Sequence, residues 1–298
     1  MGLRPVDFAM GMAVALTWGM GFVVAKAAIG HFPPILLMAL RFAVTALVLV
    51  WFVKPPRGLL ARLFGIAMIS AAIQYSLTFT GLKSLDASVA ALVVQLEVPF
   101  LVLLGVVLLK ERPGLRKWLG IALAFLGVAL IAGEPRLGNA WAALLLVVGG
   151  AFAWALGQVL IRALPRIDGL TVTAWIAVFA TPQLLVMSLL FEDDHLAAVR
   201  SAGWVVWAAV IYLGVVMTAL GYSLWYSLVR RHPISLIAPF LLLLPVFSVL
   251  GGVLFLGEAL TWQTLLGGAI VIAGVAVILV ERPPPAIAVA GGEPGAQA

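Results

Sequence analysis

Long apolar runs, parted by short polar interruptions, make up almost the whole chain. Ten of them, near 7–29, 34–53, 63–82, 86–109, 115–133, 139–160, 170–190, 203–229, 234–256 and 262–280, approach or exceed the length a helix needs to cross a bilayer. That length is about 20 predominantly apolar residues. The connections are short and marked by breakers: Pro33-Pro34, Pro55-Pro56, Arg112-Pro113-Gly114 and His232-Pro233. The pattern therefore predicts an all-α integral membrane protein of ten transmembrane helices. The tail 281–298 opens with three prolines after Arg282 and is expected to be a disordered cytoplasmic segment.

Composition agrees with lipid as the main solvent. Of 298 residues, 64% are hydrophobic and 10% charged, against roughly 25% charged in a soluble domain. The first run, about 23 residues long, exceeds the roughly 7–15 residues of a signal-peptide core and reads as the first span. Cysteine is absent, which excludes disulfides, thiolate metal sites and cysteine nucleophiles. His31, His195 and His232 lie in connections and are not spaced as a metal pair, so no cofactor is expected.

The net charge of +6 is explained by topology, with no nucleic-acid partner. With the N-terminus placed inside, thirteen of the 18 Lys and Arg fall in inner segments, and Lys83, Arg136 and Arg200 in outer ones. Lys26 and Arg41 lie within spans. Basic loops resist translocation, so both termini are expected in the cytoplasm. Trp51, Trp118, Trp141, Trp204, Trp207, Trp225 and Trp262 lie near span ends, as in an aromatic belt.

Shifted by 147 residues, the sequence matches itself. Tyr75-Ser76-Leu77 falls on Tyr222-Ser223-Leu224, Ser88 on Ser235, Glu111 on Glu258, and Gly127-Val128-Ala129 on Gly274-Val275-Ala276. Earlier in each half the shift is 136, pairing Trp18 with Trp154, Gly21 with Gly157 and Lys26 with Arg162. Each half, 1–134 and 135–280, thus holds five spans. Five is odd, so the second half must enter the membrane inverted relative to the first. Two inverted five-helix repeats form a transporter architecture, with the substrate site near the midplane between them.

Residues that could carry chemistry stand out against this apolar background. Glu97 lies roughly 16 Å from the outer end of the fourth span at 1.5 Å per residue, where an ionisable group marks a functional site or a protonated packing contact. Arg41 lies roughly 10 Å deep in the second span, close enough in depth to bridge to Glu97, or else to cap carbonyls or snorkel. Lys26 is near a span end and is expected to snorkel. Pro99, with Pro239 and Pro245 in the matching span, frees backbone carbonyls, either as harmless kinks or to line a cavity. Trp18, Trp154, Tyr75, Tyr222, Gln74 and Gln158 add mid-span aromatic and amide groups, suited to a small organic solute or to helix packing. Gly120, Gly127, Gly267 and Gly274 let helices approach closely, in the scaffold or in a homodimer. Glu111 and Glu258 close matching spans and are expected to pair with basic neighbours.

Two stretches resemble a known family. Trp18-Gly19-Met20-Gly21-Phe22-Val23-Val24-Ala25-Lys26, with Pro33-Pro34 and Leu40-Arg41-Phe42, resembles the opening of the drug/metabolite transporter superfamily. Gly221-Tyr222, Ala238-Pro239, Leu244-Pro245-Val246-Phe247 and Leu256-Gly257-Glu258 resemble its second half, closest to the EamA-type amino-acid-metabolite exporters. The resemblance covers nearly all of 7–280. It implies two inverted five-helix repeats around a central cavity, and export of small solutes across the bacterial inner membrane. Lys26, Arg41, Glu111 and Glu258 match its motifs; Glu97 departs from them. The expected partners are the lipid bilayer and an amino acid or similar zwitterion, whose carboxylate would meet Arg41 and whose ammonium would meet Glu97. The protein is expected as monomer or homodimer. Cationic drugs or sugar conjugates on the same fold, a non-transporting scaffold and an intramembrane enzyme are the alternatives; no paired-acid, Ser/His or HExxH arrangement lies within the spans.

Overall fold

The computed structural model describes residues 3–134, 137, 140–165, 167–232 and 234–279. The tail 281–298 and the loop residues Arg136, Arg166 and Pro233 lie outside them. The ten predicted spans are present as helices: α1 Pro5–Ile29, α2 Pro34–Phe52, α3 Leu60–Ser84, α4 Ala87–Leu108, α5 Leu115–Ala132, α6 Trp141–Arg162, α7 Gly169–Phe191, α8 Trp204–Leu228, α9 Pro239–Leu256 and α10 Trp262–Leu279. A short helix, His195–Ser201, joins α7 to α8. The side of the bundle holding the start of α1 is called the N face below.

Glycine seams set the closest approaches. A Cβ on Gly120 would lie 2.7 Å from the Gly274 carbonyl oxygen, and one on Gly127 would lie 2.6 Å from that of Gly267. Low numbers on α5 meet high numbers on α10, so these two helices run antiparallel, backbone against backbone. The seam is filled within one chain, which removes it as a basis for a dimer. Elsewhere α1 packs along α8 and α9, α6 along α3 and α4, and α2 along α7. Gly21 on α1 faces Met217 of α8, while Gly157 on α6 faces Ser70 of α3; Ser70 and Met217 are themselves 147 residues apart.

Several helices are interrupted, at matching places. The α4 region consists of Ala87–Val94 and Glu97–Leu109, separated at Gln95 and Leu96. The α9 region consists of Ile234–Ile237, a 3₁₀ segment Ala238–Leu243, and Leu244–Leu256. Residue 244 is 147 beyond residue 97. In α3 the stretch Met68–Ile73 is π-helical, as is Tyr212–Leu220 in α8, and both end 147 residues apart. The second pieces of α4 and α9 close on left-handed residues, Lys110 with φ 56° and Gly257 with φ 66°.

Proline does not cause the α4 break in the way the sequence suggests. The interruption precedes Pro99, which is the third residue of the piece beginning at Glu97. A first-turn position has no intrahelical N–H acceptor to satisfy, so proline costs little there. Pro245 occupies the corresponding first turn in α9, and both prolines are buried.

Helix starts are capped by distant acids. Pro33 and Pro34 open α2 without a side-chain cap; the Glu192 carboxylate accepts from the N–H of Ile35 at 2.7 Å and of Leu36 at 2.9 Å. On the N face wholly buried Asp7 accepts from Arg4 Nε at 2.9 Å and Arg231 Nη1 at 3.2 Å. His232 Nε2 is 3.1 Å from the same carboxylate, off the line of a hydrogen bond. The outer surface is apolar, with Leu47, Val107, Leu189 and Leu254 exposed. Trp51, Trp141, Trp204 and Trp262 are exposed near helix ends. Trp207 and Trp225 instead turn inward, onto Phe32 and Trp18.

Candidate functional site

The π-helical stretch of α8 organises the site. A π turn leaves carbonyls out of register with the regular ladder, and neighbouring helices supply donors to them. Trp18 Nε1 on α1 donates to the Met217 carbonyl at 2.9 Å. The Thr45 hydroxyl on α2 lies 3.0 Å from both the Gly214 and Arg41 carbonyls. The Thr218 hydroxyl donates to the Leu213 carbonyl at 2.7 Å. Thr45 and Thr218, which bond Arg41 and the π-helical carbonyls, are partners that sequence reasoning missed.

Arg41 is the largest of the fully buried side chains, 1% exposed. Its Nε donates to Thr218 Oγ1 at 3.0 Å, and one terminal nitrogen reaches the Tyr75 hydroxyl at 3.3 Å. The other terminal nitrogen meets only the Met38 sulfur, at 3.8 Å. The guanidinium carbon lies 4.7 Å from the centre of the Tyr75 ring, a cation–π placement. Five donors in a fixed fork thus have one good oxygen acceptor and one long one. Among the described residues no carboxylate pairs with Arg41.

Glu97 begins the second piece of α4. The chain stays hydrogen-bonded through the break, Val98 N–H to the Gln95 carbonyl at 3.2 Å and Phe100 N–H to that of Leu96 at 2.9 Å, and the helix dipole there favours a carboxylate. Glu97 is partly buried, deep in its span. Glu97 has no polar partner among the described residues, and Arg41 turns to Thr218 and Tyr75 and forms no bridge to it. Tyr222 meets Tyr226 at 5.9 Å between ring centres. Trp18 packs on Tyr222 at 4.9 Å, and Tyr75 stacks on Phe79 at 5.6 Å and 8°.

A second group faces α6. Buried Gln74 donates to Thr78 Oγ1 at 3.3 Å, while its Oε1 and the Ser70 hydroxyl have no partner. Gly150 lies against Thr78 and Gly157 against Ser70. Trp154, between them at helical spacing, shares that face. Trp154 and Gln158 are partly buried, with no polar partner among the described residues. The structure thus joins Arg41 to Tyr75 and, through the α8 stretch that holds Thr218 and Met217, to Trp18 and Tyr222. Among the described residues no hydrogen bond or ring contact links these to Glu97, Trp154 or Gln158. Pro99 and Pro245 lie at the helix breaks.

Lys26 corrects its sequence expectation. It does not snorkel: its Nζ donates to the Leu82 and Lys83 carbonyls at 2.9 and 3.0 Å, capping the end of α3. Glu258, expected to pair with a basic neighbour, accepts from the Ala87 N–H at 2.6 Å, the Ser88 N–H at 3.0 Å and the Ser88 hydroxyl. Glu111 does pair with a base, Arg162, at 3.0 Å. No group of three or more His, Asp or Glu among the described residues is placed to hold a metal ion.

Comparison with known proteins agrees with this membrane architecture. A family model described as "EamA-like transporter family" matches in two blocks, residues 8–133 and 141–280. The chain is 31% identical over 278 residues to a protein of Salmonella typhimurium named "Probable amino-acid metabolite efflux pump", covering 90% of this chain and 93% of that one. It is 28% identical to an Escherichia coli protein of the same name, with the same coverage. An Escherichia coli protein named "Uncharacterized inner membrane transporter YedA" is 26% identical, covering 90% of this chain and 89% of the relative. A solved crystal structure superposes with a TM-score of 0.61 at 20% identity, covering 92% of this chain and 96% of the other, and supports the fold. Both blocks of the match fall on the ten apolar helices, and the chain is a multi-pass bacterial inner-membrane protein that belongs to the EamA-like transporter family.

Proposed function

We propose that this transporter exports amino acids or amino-acid metabolites as zwitterions, by alternating access, with its N face in the cytoplasm. The observation that carries the reading is Arg41, a buried guanidinium with terminal donors unfilled and no carboxylate beside it. A buried cation lacking a counter-ion is costly, and a substrate carboxylate would supply one. Glu97, unpaired at the α4 break, would take the substrate ammonium. The Trp18, Tyr75 and Tyr222 rings offer surface for a side chain. Two relatives named as amino-acid metabolite efflux pumps support the same substrate class.

The halves 1–134 and 135–280 are read as inverted repeats. Support comes from the antiparallel α5–α10 pair, whose contacts Gly120–Gly274 and Gly127–Gly267 exchange under the 147-residue shift, and from breaks and π segments recurring 147 residues apart. The excess of basic residues on the N-face loops supports the cytoplasmic placement.

Uptake into proteoliposomes tests the reading, with a labelled amino acid competed by its decarboxylated amine and its deaminated acid. The zwitterion is expected to compete well and both single-charge analogues poorly. Arg41→Gln should raise KM roughly tenfold or more, the loss of a hydrogen-bonded charge contact worth about 1.5–3 kcal/mol. An amine that competes as well as the zwitterion would move the reading to cationic solutes. Failure to move any amino acid would discard the substrate class.

A further inference from the structure

Each half ends a span in the same way, with a left-handed residue followed by glutamate: Lys110-Glu111 and Gly257-Glu258. The turn folds each carboxylate back over its own helix, near Gly105 and Gly252 respectively. From there the two differ. Glu258 reaches across to α4 and takes the N–H groups of Ala87 and Ser88 together with the Ser88 hydroxyl. Lys26 on α1 takes the Leu82 and Lys83 carbonyls at the end of α3, and lies in the field of Asp86 and Glu258. Ser248 on α9 donates to the Ala87 carbonyl at 3.3 Å.

The tip of the α3–α4 hairpin is therefore gripped from two sides. An anion sits on a helix N-terminus and a cation on a helix C-terminus, each matched to the dipole it meets. Both gripping residues, Lys26 and Glu258, belong to the α1–α9 side, while the tip belongs to the group that packs with α6. On the N face the repeat counterparts, Arg162 on α6 and Glu111 after α4, bond each other and stand 71% and 45% exposed. Lys26 and Glu258 grip a helix tip, whereas among the described residues the N-face pair bonds only within itself and is solvent-exposed.

We propose that Lys26 and Glu258 are a latch that holds the face opposite the N face shut. In the transport cycle it releases, and Arg162 and Glu111 then take the corresponding hold on the α8–α9 tip. The proposal rests on the alternating-access reading and gives it named positioning residues. Charge-assisted bonds suit this task because each is strong when made and its ends are readily solvated when broken.

The chain contains no cysteine, so single cysteines report without background. Ser248→Cys lies behind the latch at a wholly buried position, and Leu101→Cys is its repeat counterpart 147 residues earlier. Each is placed with and without Glu258→Ala, in right-side-out and inverted vesicles, and reacted with a membrane-impermeant maleimide. Glu258→Ala removes three hydrogen bonds. It is expected to speed outside labelling of Ser248→Cys about tenfold or more, the population shift that even one bond to a charged group supplies. It should slow inside labelling of Leu101→Cys to a similar degree. Lys26→Gln, which leaves Glu258 in place, should shift both rates in the same reciprocal sense. Unchanged rates in folded protein overturn the latch. A rise at both positions signals general loosening and overturns it too. Labelling of Ser248→Cys only in inverted vesicles would overturn the orientation, while the reciprocal change would still decide the latch.

Discussion

Arg41 and Glu97 were legible because an ionisable side chain is expensive in a lipid-facing run and so stands out in the sequence. Their neighbours were not. A Thr in a membrane helix commonly bonds its own i−4 carbonyl, so Thr45 and Thr218 carry no signal until packing shows what else they touch. That difference yields a graded expectation. Thr218→Val keeps the shape but removes the closest oxygen acceptor of Arg41, at 3.0 Å, and should cost about 1.5–3 kcal/mol. Tyr75→Phe removes only the longer 3.3 Å contact and keeps the ring under the guanidinium, so its cost should be about 1 kcal/mol or less. Melting temperatures in detergent rank the two directly. Equal losses would show that the Arg41 guanidinium is held by Tyr75 as firmly as by Thr218.

The ten helices were readable because a span has a fixed minimum length in apolar residues, whatever its neighbours. Interruptions inside helices were not. Pro99 signals a disturbance in α4, yet the chain breaks at Gln95 and Leu96, ahead of it. The π segments Met68–Ile73 and Tyr212–Leu220 are apolar stretches with no marker, their stray carbonyls met by side chains from other helices. The glycine pattern was visible, but intrachain and dimer packing share it. Geometry now separates structural glycines from permissive ones. A methyl on Gly127 would meet the Gly267 backbone oxygen at 2.6 Å, an atom that cannot rotate away. Gly127→Ala should therefore destabilise by about 1–3 kcal/mol. Gly65, with nothing within 4 Å of its would-be Cβ, should gain about 0.5–1 kcal/mol as Ala from helix propensity. Opposite shifts in thermal stability are expected, and an unchanged melting temperature for Gly127→Ala would overturn the close α5–α10 seam.

At the scale of the whole molecule, the repeat is imperfect where function needs it to be. The 136-residue shift that carries Thr45 to Thr181 carries Arg41 to Ala177, equally buried but without charge. The proposed site thus holds one buried cation, from the first half, and one unpaired acid, Glu97, whose counterpart is Leu244. Paired this way, a bound zwitterion leaves the loaded site close to neutral. Moving one elementary charge through the membrane potential is worth roughly 2.3 kcal/mol per 100 mV, about fiftyfold in an equilibrium constant. Exchange of a zwitterion for a zwitterion, with Glu97 occupied by the substrate ammonium, should then show no such dependence. In proteoliposomes holding amino acid on both sides, a valinomycin-set potassium potential of either sign is expected to leave exchange unchanged. If Glu97 instead carried a proton against the substrate, net charge would cross with each turnover and an imposed potential would drive accumulation in one direction. The wild-type measurement alone separates the two roles, because a potential-driven gradient can arise only where charge moves.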